Sequence, residues 1–197
     1  MSFHLSLRRV FISAAVSSAA AFLGACASPP LTVYTLEASG EISDATPSTG
    51  KIKVVEVRRV VVPDALDNQD IVVRQGSTLV RSSHGRWASR FSVNATYFLT
   101  RLLAQRRPTV LVTDQPQVEP PNYRLLVTIG ALDLAANGTA TLEADWLIVP
   151  RDPALPSQRQ RGRFSATGPV ATDQDVVSLN KAVLRQLADA IAASSPW

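Results

Sequence analysis

The stretch YRLLVTIGALDL (residues 123–134), then AANG, then GTATLEADWLIVP (residues 138–150), decides the fold. In the second run Ala140, Leu142, Ala144, Trp146 and Ile148 alternate with Thr139, Thr141, Glu143 and Asp145. Successive side chains of a strand point to opposite faces, so this alternation sets one face on a core and the other in water. AANG supplies the turn between the two strands. Beyond the loop RDPALPS, the segment QRQRGRFSATG (158–168) reads as a further strand with Arg159, Arg161 and Arg163 on one face at period two. Paired as a hairpin, those arginines lie opposite Asp145 and Glu143, each cross-strand pair contributing roughly 0.2 to 1 kcal/mol at a surface. A solvated face neutralised by its neighbour is the favoured reading of the arginines, over an anionic lipid or nucleic-acid site.

Outward from this meander the periodicity changes. DQDVVSLNKAVLRQLADAIAASSPW (173–197) repeats Val176, Leu179, Val183, Leu187 and Ile191 at helical spacing, and Thr172 with Asp175 fits a capping box. A second helix is expected from Ser89 to Arg107, where Phe91, Ala95, Phe98, Leu99 and Leu102 share a face, Arg90, Asn94 and Arg101 lie on the surface, and Pro108 stops the run. Upstream, Thr32 to Glu37 is a short β-like piece. KIKVVEVRRVVVP (51–63) is a β-branched strand whose alternation shifts phase midway, which suggests a bulge or burial on both faces. Residues 71–83 read as two short strands turning at Gln75-Gly76-Ser77, and VLVTD (110–114) as another strand. Strands flanked by two amphipathic helices predict a single α+β domain over residues 32–197, with a mainly antiparallel or mixed sheet packed by both helices.

The first 31 residues belong to a different kind of segment. Arg8 and Arg9 precede VFISAAVSSAAAFL, which is too short and serine-rich for a comfortable membrane span but suits a signal peptide over residues 1–25. Leu23, Gly24 and Ala25 before Cys26 resemble the lipobox read by the lipoprotein signal peptidase. In that resemblance Cys26 becomes the first mature residue and carries a diacylglycerol thioether, with a third acyl chain on its amino group. One chain binds a membrane reversibly and two or three anchor stably. Residues 26–31 then form a short lipidated tether stiffened by Pro29 and Pro30. Ala27 replaces the aspartate that retains many such proteins at the inner membrane, which favours the outer membrane. LRRVFI (7–12) resembles a twin-arginine export signal, although Leu7 stands where serine or threonine is usual.

The chain of 197 residues has 20 Lys and Arg against 16 Asp and Glu. Arg8 and Arg9 are the only formal charges in residues 1–25, so a mature chain is nearly balanced, which argues against nucleic acid. Cys26 is the one cysteine, leaving neither disulfides nor thiolate metal sites. No phosphate loop, nucleophile elbow or metal-spaced histidine pair occurs, and no cofactor, metal site or catalytic residue is expected. His84 in SSHGR reads as a surface histidine. Asp64, Asp67 and Asp70 in VPDALDNQD lack the glycine and terminal glutamate of a calcium loop and read as a solvated turn. Trp87 and Trp146 read as core, whereas Trp197 has little reason to be buried unless it meets a partner or a membrane.

The order YTLEA, IKVVEVRRVVVPDALDNQDIVVRQGSTLV, RWAS before a helix, GTATLEADWLIV and a final alanine-rich helix resembles the PqiC-type family of ABC-transport auxiliary lipoproteins over about residues 32 to 193. The resemblance rests on Val62-Pro63, Leu66-Asp67, Ile71-Val72-Val73-Arg74, on Trp87 as the tryptophan opening the first helix, and on Glu143, Ala144 and Trp146. Ser89 and Arg90 depart from it, an acid being expected after Trp-Ala. It implies a periplasm-facing, outer-membrane-anchored lipoprotein that works with an MCE-domain protein and an ABC permease in lipid transport. Its role would be a docking or tunnel-end component, with a homo-oligomeric ring as a fitting assembly. An activator of a cell-wall synthesis enzyme is the alternative, and a long tether would favour it. A periplasmic hydrolase is the third reading.

Overall fold

In the computed structural model, residues 30–37 and 52–197 are described. Strand β1 (Thr32–Tyr34) is followed by β2 (Lys53–Val57), the hairpin β3 (Asp70–Gln75) and β4 (Thr78–Trp87), and helix α1 (Phe91–Arg106). Strands β5 (Val110–Thr113), β6 (Tyr123–Leu134), β7 (Thr139–Pro150) and β8 (Gln158–Thr167) precede helix α2 (Asp173–Ser194). They form two mixed sheets in an α+β domain: five strands ordered β5-β2-β6-β7-β8 and three ordered β1-β4-β3.

The meander β6-β7-β8 is the antiparallel half of the larger sheet, and β2 lies parallel to both β5 and β6. Ala140, Leu142, Ala144, Trp146 and Ile148 are all buried, as their alternation requires. Gly138, at φ +84°, makes the β6–β7 turn. One irregularity interrupts β6 between Ile129 and Ala131, where Gly130 is the extra residue. The β3–β4 turn has Gly76 at φ +60° ahead of Ser77, the positive first position of a type II′ hairpin.

Helix α2 buries Val176, Leu179, Val183, Leu187 and Ile191. Its capping box is complete: the Asp175 N–H donates to Thr172 Oγ1 at 3.2 Å, and the Thr172 N–H donates to Asp175 Oδ2 at 2.9 Å. Helix α1 buries Phe91, Ala95, Phe98, Leu99 and Leu102. Asn94 is buried as well, against expectation, because its side-chain amide turns back to donate to the Ser89 carbonyl at 2.9 Å.

The 51–63 stretch is not one strand. It leaves the ladder after Val57 and returns at Val61, which bridges Thr128. The buried positions change from Val55 and Val57 to Val60 and Val62, which is the phase shift seen in the sequence. At the break the Val60 N–H donates to Thr96 Oγ1 on α1 at 2.9 Å, replacing the lost ladder bond. The second hairpin strand is also longer than expected. It runs on to Trp87, where β1 pairs with residues 85–87 in parallel, Thr32 opposite Gly85 and Tyr34 opposite Trp87, and Asp70 of β3 stands opposite Arg86. Trp87 therefore ends β4 instead of opening a helix; it is buried with its ring 5.7 Å from that of Phe91.

Candidate functional site

The lipobox residues Leu23, Gly24, Ala25 and Cys26 lie outside the described residues. What the described residues present is a set of surfaces, of which the open face of the five-stranded sheet is the most distinctive. The core side of that sheet is covered; on the other side Leu111 and Leu126 are exposed. Two rows of charge cross this face. Glu56 on β2 is buried although charged, and Arg58 Nη1 and Arg124 Nε donate to its two oxygens at 2.8 and 3.3 Å. A buried carboxylate is tolerated here because both oxygens are paired with cations.

The second row is the one anticipated from the β8 pattern. Asp145 stands opposite Arg161 and Glu143 opposite Arg163 in register. Arg161 binds both Asp145 oxygens, Nε at 2.8 Å and Nη2 at 3.2 Å, while Arg163 Nε lies 3.4 Å from Glu143. The hydrogen bonds and charge of Asp145 raise the pKa of Arg161 above its ordinary value. Arg159 stands opposite Leu147 and has no hydrogen-bond or acidic partner among the described residues.

The acidic turn 64–70 is structural rather than simply solvated. Asp67 Oδ1 accepts from the Ser92 N–H at 3.0 Å, so it supplies a cap to α1 from outside the helix. That explains how the departure at Ser89-Arg90 is accommodated, since Arg90 occupies the N-cap position without any side-chain cap. Asp70 lies 3.0 Å from Arg81 Nε and 3.4 Å from Arg86 Nε, pinning the β3–β4 hairpin. No group of acids, histidines or cysteines among the described residues is arranged to hold a metal. His84 is exposed, its Nδ1 2.6 Å from Ser83 Oγ.

Trp146 is core, as its alternation required, and its indole N–H donates to Ser194 Oγ at 3.2 Å. Trp197 is the exception to expectation. It folds back on the chain, buried with its ring 5.3 Å from that of Tyr123. Its indole nitrogen has no protein partner among the described residues, so packing alone holds it.

Hollows open on the surface of the described residues. One of about 380 Å³ lies beside Lys53, Tyr123 and Arg151; another of about 310 Å³ lies between the β3–β4 hairpin and the start of α2. A slot of about 30 Å³ lies between Trp87, Phe91 and Leu132 and is lined as well by the Arg74–Asp133 ion pair. In the hollow beside α2, Ser82 Oγ donates to Asp173 Oδ2 at 2.9 Å and accepts from the Gly85 N–H at 2.8 Å, so this hydroxyl holds the strand to the helix start. Sequence reading missed Glu56 and Thr96 and took Asp67 for part of a solvated turn, since Arg124, the Val60 N–H and the Ser92 N–H that meet them lie far along the chain.

Residues 34–192 match the family described as "ABC-type transport auxiliary lipoprotein component". The chain belongs to that family. The resemblance read from the Val-Pro, Leu-Asp and Ile-Val-Val-Arg elements and the β7 pattern is therefore sound. The auxiliary-lipoprotein fold is also that of solved structures. One, an uncharacterised protein, is 17% identical with a TM-score of 0.67, covering 83% of this chain and 97% of that one. Another, a DUF330 protein from Xanthomonas campestris, is 13% identical with a TM-score of 0.61, covering 82% and 92%. The comparison with curated proteins returned no match. The family's description names a transport accessory lipoprotein, which is not an enzyme class.

Proposed function

We propose that the chain is an outer-membrane-anchored lipoprotein facing the periplasm, the docking or tunnel-end component of an ABC transport system that moves lipid between membranes with an MCE-domain partner. The observation that carries this is family membership across residues 34–192 joined to Leu23-Gly24-Ala25-Cys26 directly upstream. Ala27 after the cysteine supports the outer membrane. Thr32 lies six residue steps beyond Cys26, and a chain extends at most about 3.3–3.6 Å per residue, which limits the reach to roughly 20 Å. A domain held that close to its membrane suits a platform on which a partner arriving from the other membrane docks. An activator that must cross the cell wall needs a longer lead.

The decisive experiment is affinity isolation of the full chain from membranes. Recovery of an MCE-domain protein is the expected result; recovery of a penicillin-binding protein with no MCE protein would overturn the proposal. Mass spectrometry of the amino-terminal peptide tests the anchor separately. The expected species begins at Cys26 with added acyl mass, and an unmodified Cys26 in the exported protein removes the anchor.

A further inference from the structure

Strand β8 is the edge of the five-stranded sheet, and the direction of its backbone bonding can be read from two contacts. The Gly168 N–H donates to the Gly138 carbonyl at 2.9 Å, and this pair continues the β7–β8 register by one step. In an antiparallel ladder the residues bonded to the partner strand alternate with those whose N–H and C=O point away. The even-numbered residues Gln158 to Ala166 therefore bond to β7, and Arg159, Arg161, Arg163, Ser165 and Thr167 turn their backbone groups outward. The second contact agrees: the Ser165 carbonyl is met by Gln186 Nε2 of α2 at 2.9 Å, from the side away from β7. Gln186 closes that end of the edge. Among the described residues nothing pairs with the outward groups of Arg159, Arg161 and Arg163.

This edge lacks most devices that blunt an open strand. The register between β7 and β8 runs without a shift from Thr139–Thr167 to Ile148–Gln158, and β8 contains no proline. What it carries is positive charge at three of its five outward-bonding positions, Arg159, Arg161 and Arg163, with the arginine side chains largely exposed: 80% for Arg161 and 72% for Arg163. Such an edge repels a second basic edge and favours an acidic one.

We infer that β8 is a docking edge for an extended acidic segment of a partner protein, added as a further strand beside Arg159, Arg161 and Arg163. The pleat sets the signature of the occupant. Its residues facing the three arginines lie two apart, so it bears Asp or Glu at every second position over five residues. Arg159 offers an unneutralised guanidinium. Arg161 and Arg163 would each lie between an inner carboxylate, Asp145 or Glu143, and an outer one, continuing a ladder of alternating charge. The inference stands on the geometry of the edge and does not depend on what the system transports.

The test uses the full chain in detergent micelles with a synthetic peptide, Thr-Glu-Val-Glu-Thr-Glu-Thr, and a control of equal composition with its three glutamates contiguous. Residue-resolved amide hydrogen exchange is the readout. The alternating peptide is expected to slow exchange at Arg159, Arg161 and Arg163 by at least about tenfold, leaving Gln160 and Gly162, already bonded to β7, unchanged. Arg159→Glu, which has no acidic neighbour to disturb, should weaken peptide affinity about fivefold, with an unchanged melting temperature showing that the fold is intact. Binding without this alternating protection, or equal protection by the contiguous-charge control, overturns the proposal. So does the same protection from phosphatidylglycerol vesicles, which would make the occupant a lipid headgroup, or from raising protein concentration alone, which would make it a second copy.

Discussion

Thr96 shows how one side chain can hold two elements. Its hydroxyl donates to the Ser92 carbonyl at 2.6 Å within α1 and accepts from the Val60 N–H at 2.9 Å where the chain leaves the β2 ladder. Both partners are buried, so Thr96→Val leaves the Val60 N–H unsatisfied while nearly conserving volume. A buried donor left without a partner costs about 1–3 kcal/mol, and chemical denaturation should report a loss in that range. Gly138 and Gly76 make a matched pair at the same scale. Both have positive φ, but a Cβ on Gly76 would meet nothing, whereas on Gly138 it would run into the carbonyl oxygen of Gly168, the residue whose N–H closes the β7–β8 ladder. Gly76→Ala should therefore show only the left-handed penalty of about 1–2 kcal/mol, and Gly138→Ala clearly more, in paired unfolding experiments. Equal costs would mean that the close approach of Gly138 to Gly168 is not tight in solution.

The two helices begin in different ways, and the difference marks what a sequence can disclose. Thr172 and Asp175 stand three apart in the chain, so the capping box of α2 was legible as a local pattern. The cap of α1 was not: Asp67 lies 25 residues before Ser92 and reaches it only because the fold brings the 64–70 turn against the helix start. Thr172→Ala and Asp67→Ala should each cost about 0.5–2 kcal/mol by loss of a capping acceptor. An Asp67→Ala variant as stable as the parent would show that this long-range cap contributes nothing. The same division runs through the strands. Period two in residues 139–150 and 159–163 predicted both buried face and charge ladder, since each is a property of one strand and its neighbour in sequence. The phase shift at residues 58–59 was visible, but its cause, Thr96, was remote. The extension of β4 to Trp87 was hidden, since β1, which pairs with it there, lies some 50 residues earlier. Trp197 was misjudged for a similar reason, as Tyr123 precedes it by more than 70 residues.

For the whole molecule, the central question is whether the anchor and the fold are separate functions of one chain. Among the described residues the core gathers Val183, Leu184, Leu187 and Ile191 of α2, fully buried together with Leu125, Ile129 and Leu142 of the larger sheet. With the anchor serving location alone, Cys26→Ser should leave the melting temperature unchanged. Its effect should appear in location. With each buried acyl methylene worth about 0.8 kcal/mol, two or three chains hold a protein on a bilayer essentially permanently, and removing them leaves only weak surface contacts. The variant is therefore expected in the soluble fraction, or retained as an uncleaved precursor, while the parent sediments with the outer membrane. A Cys26→Ser protein that is processed, folded and still found with the outer membrane would mean that the folded domain binds there unaided, which would shift the membrane attachment from the tether to the domain itself.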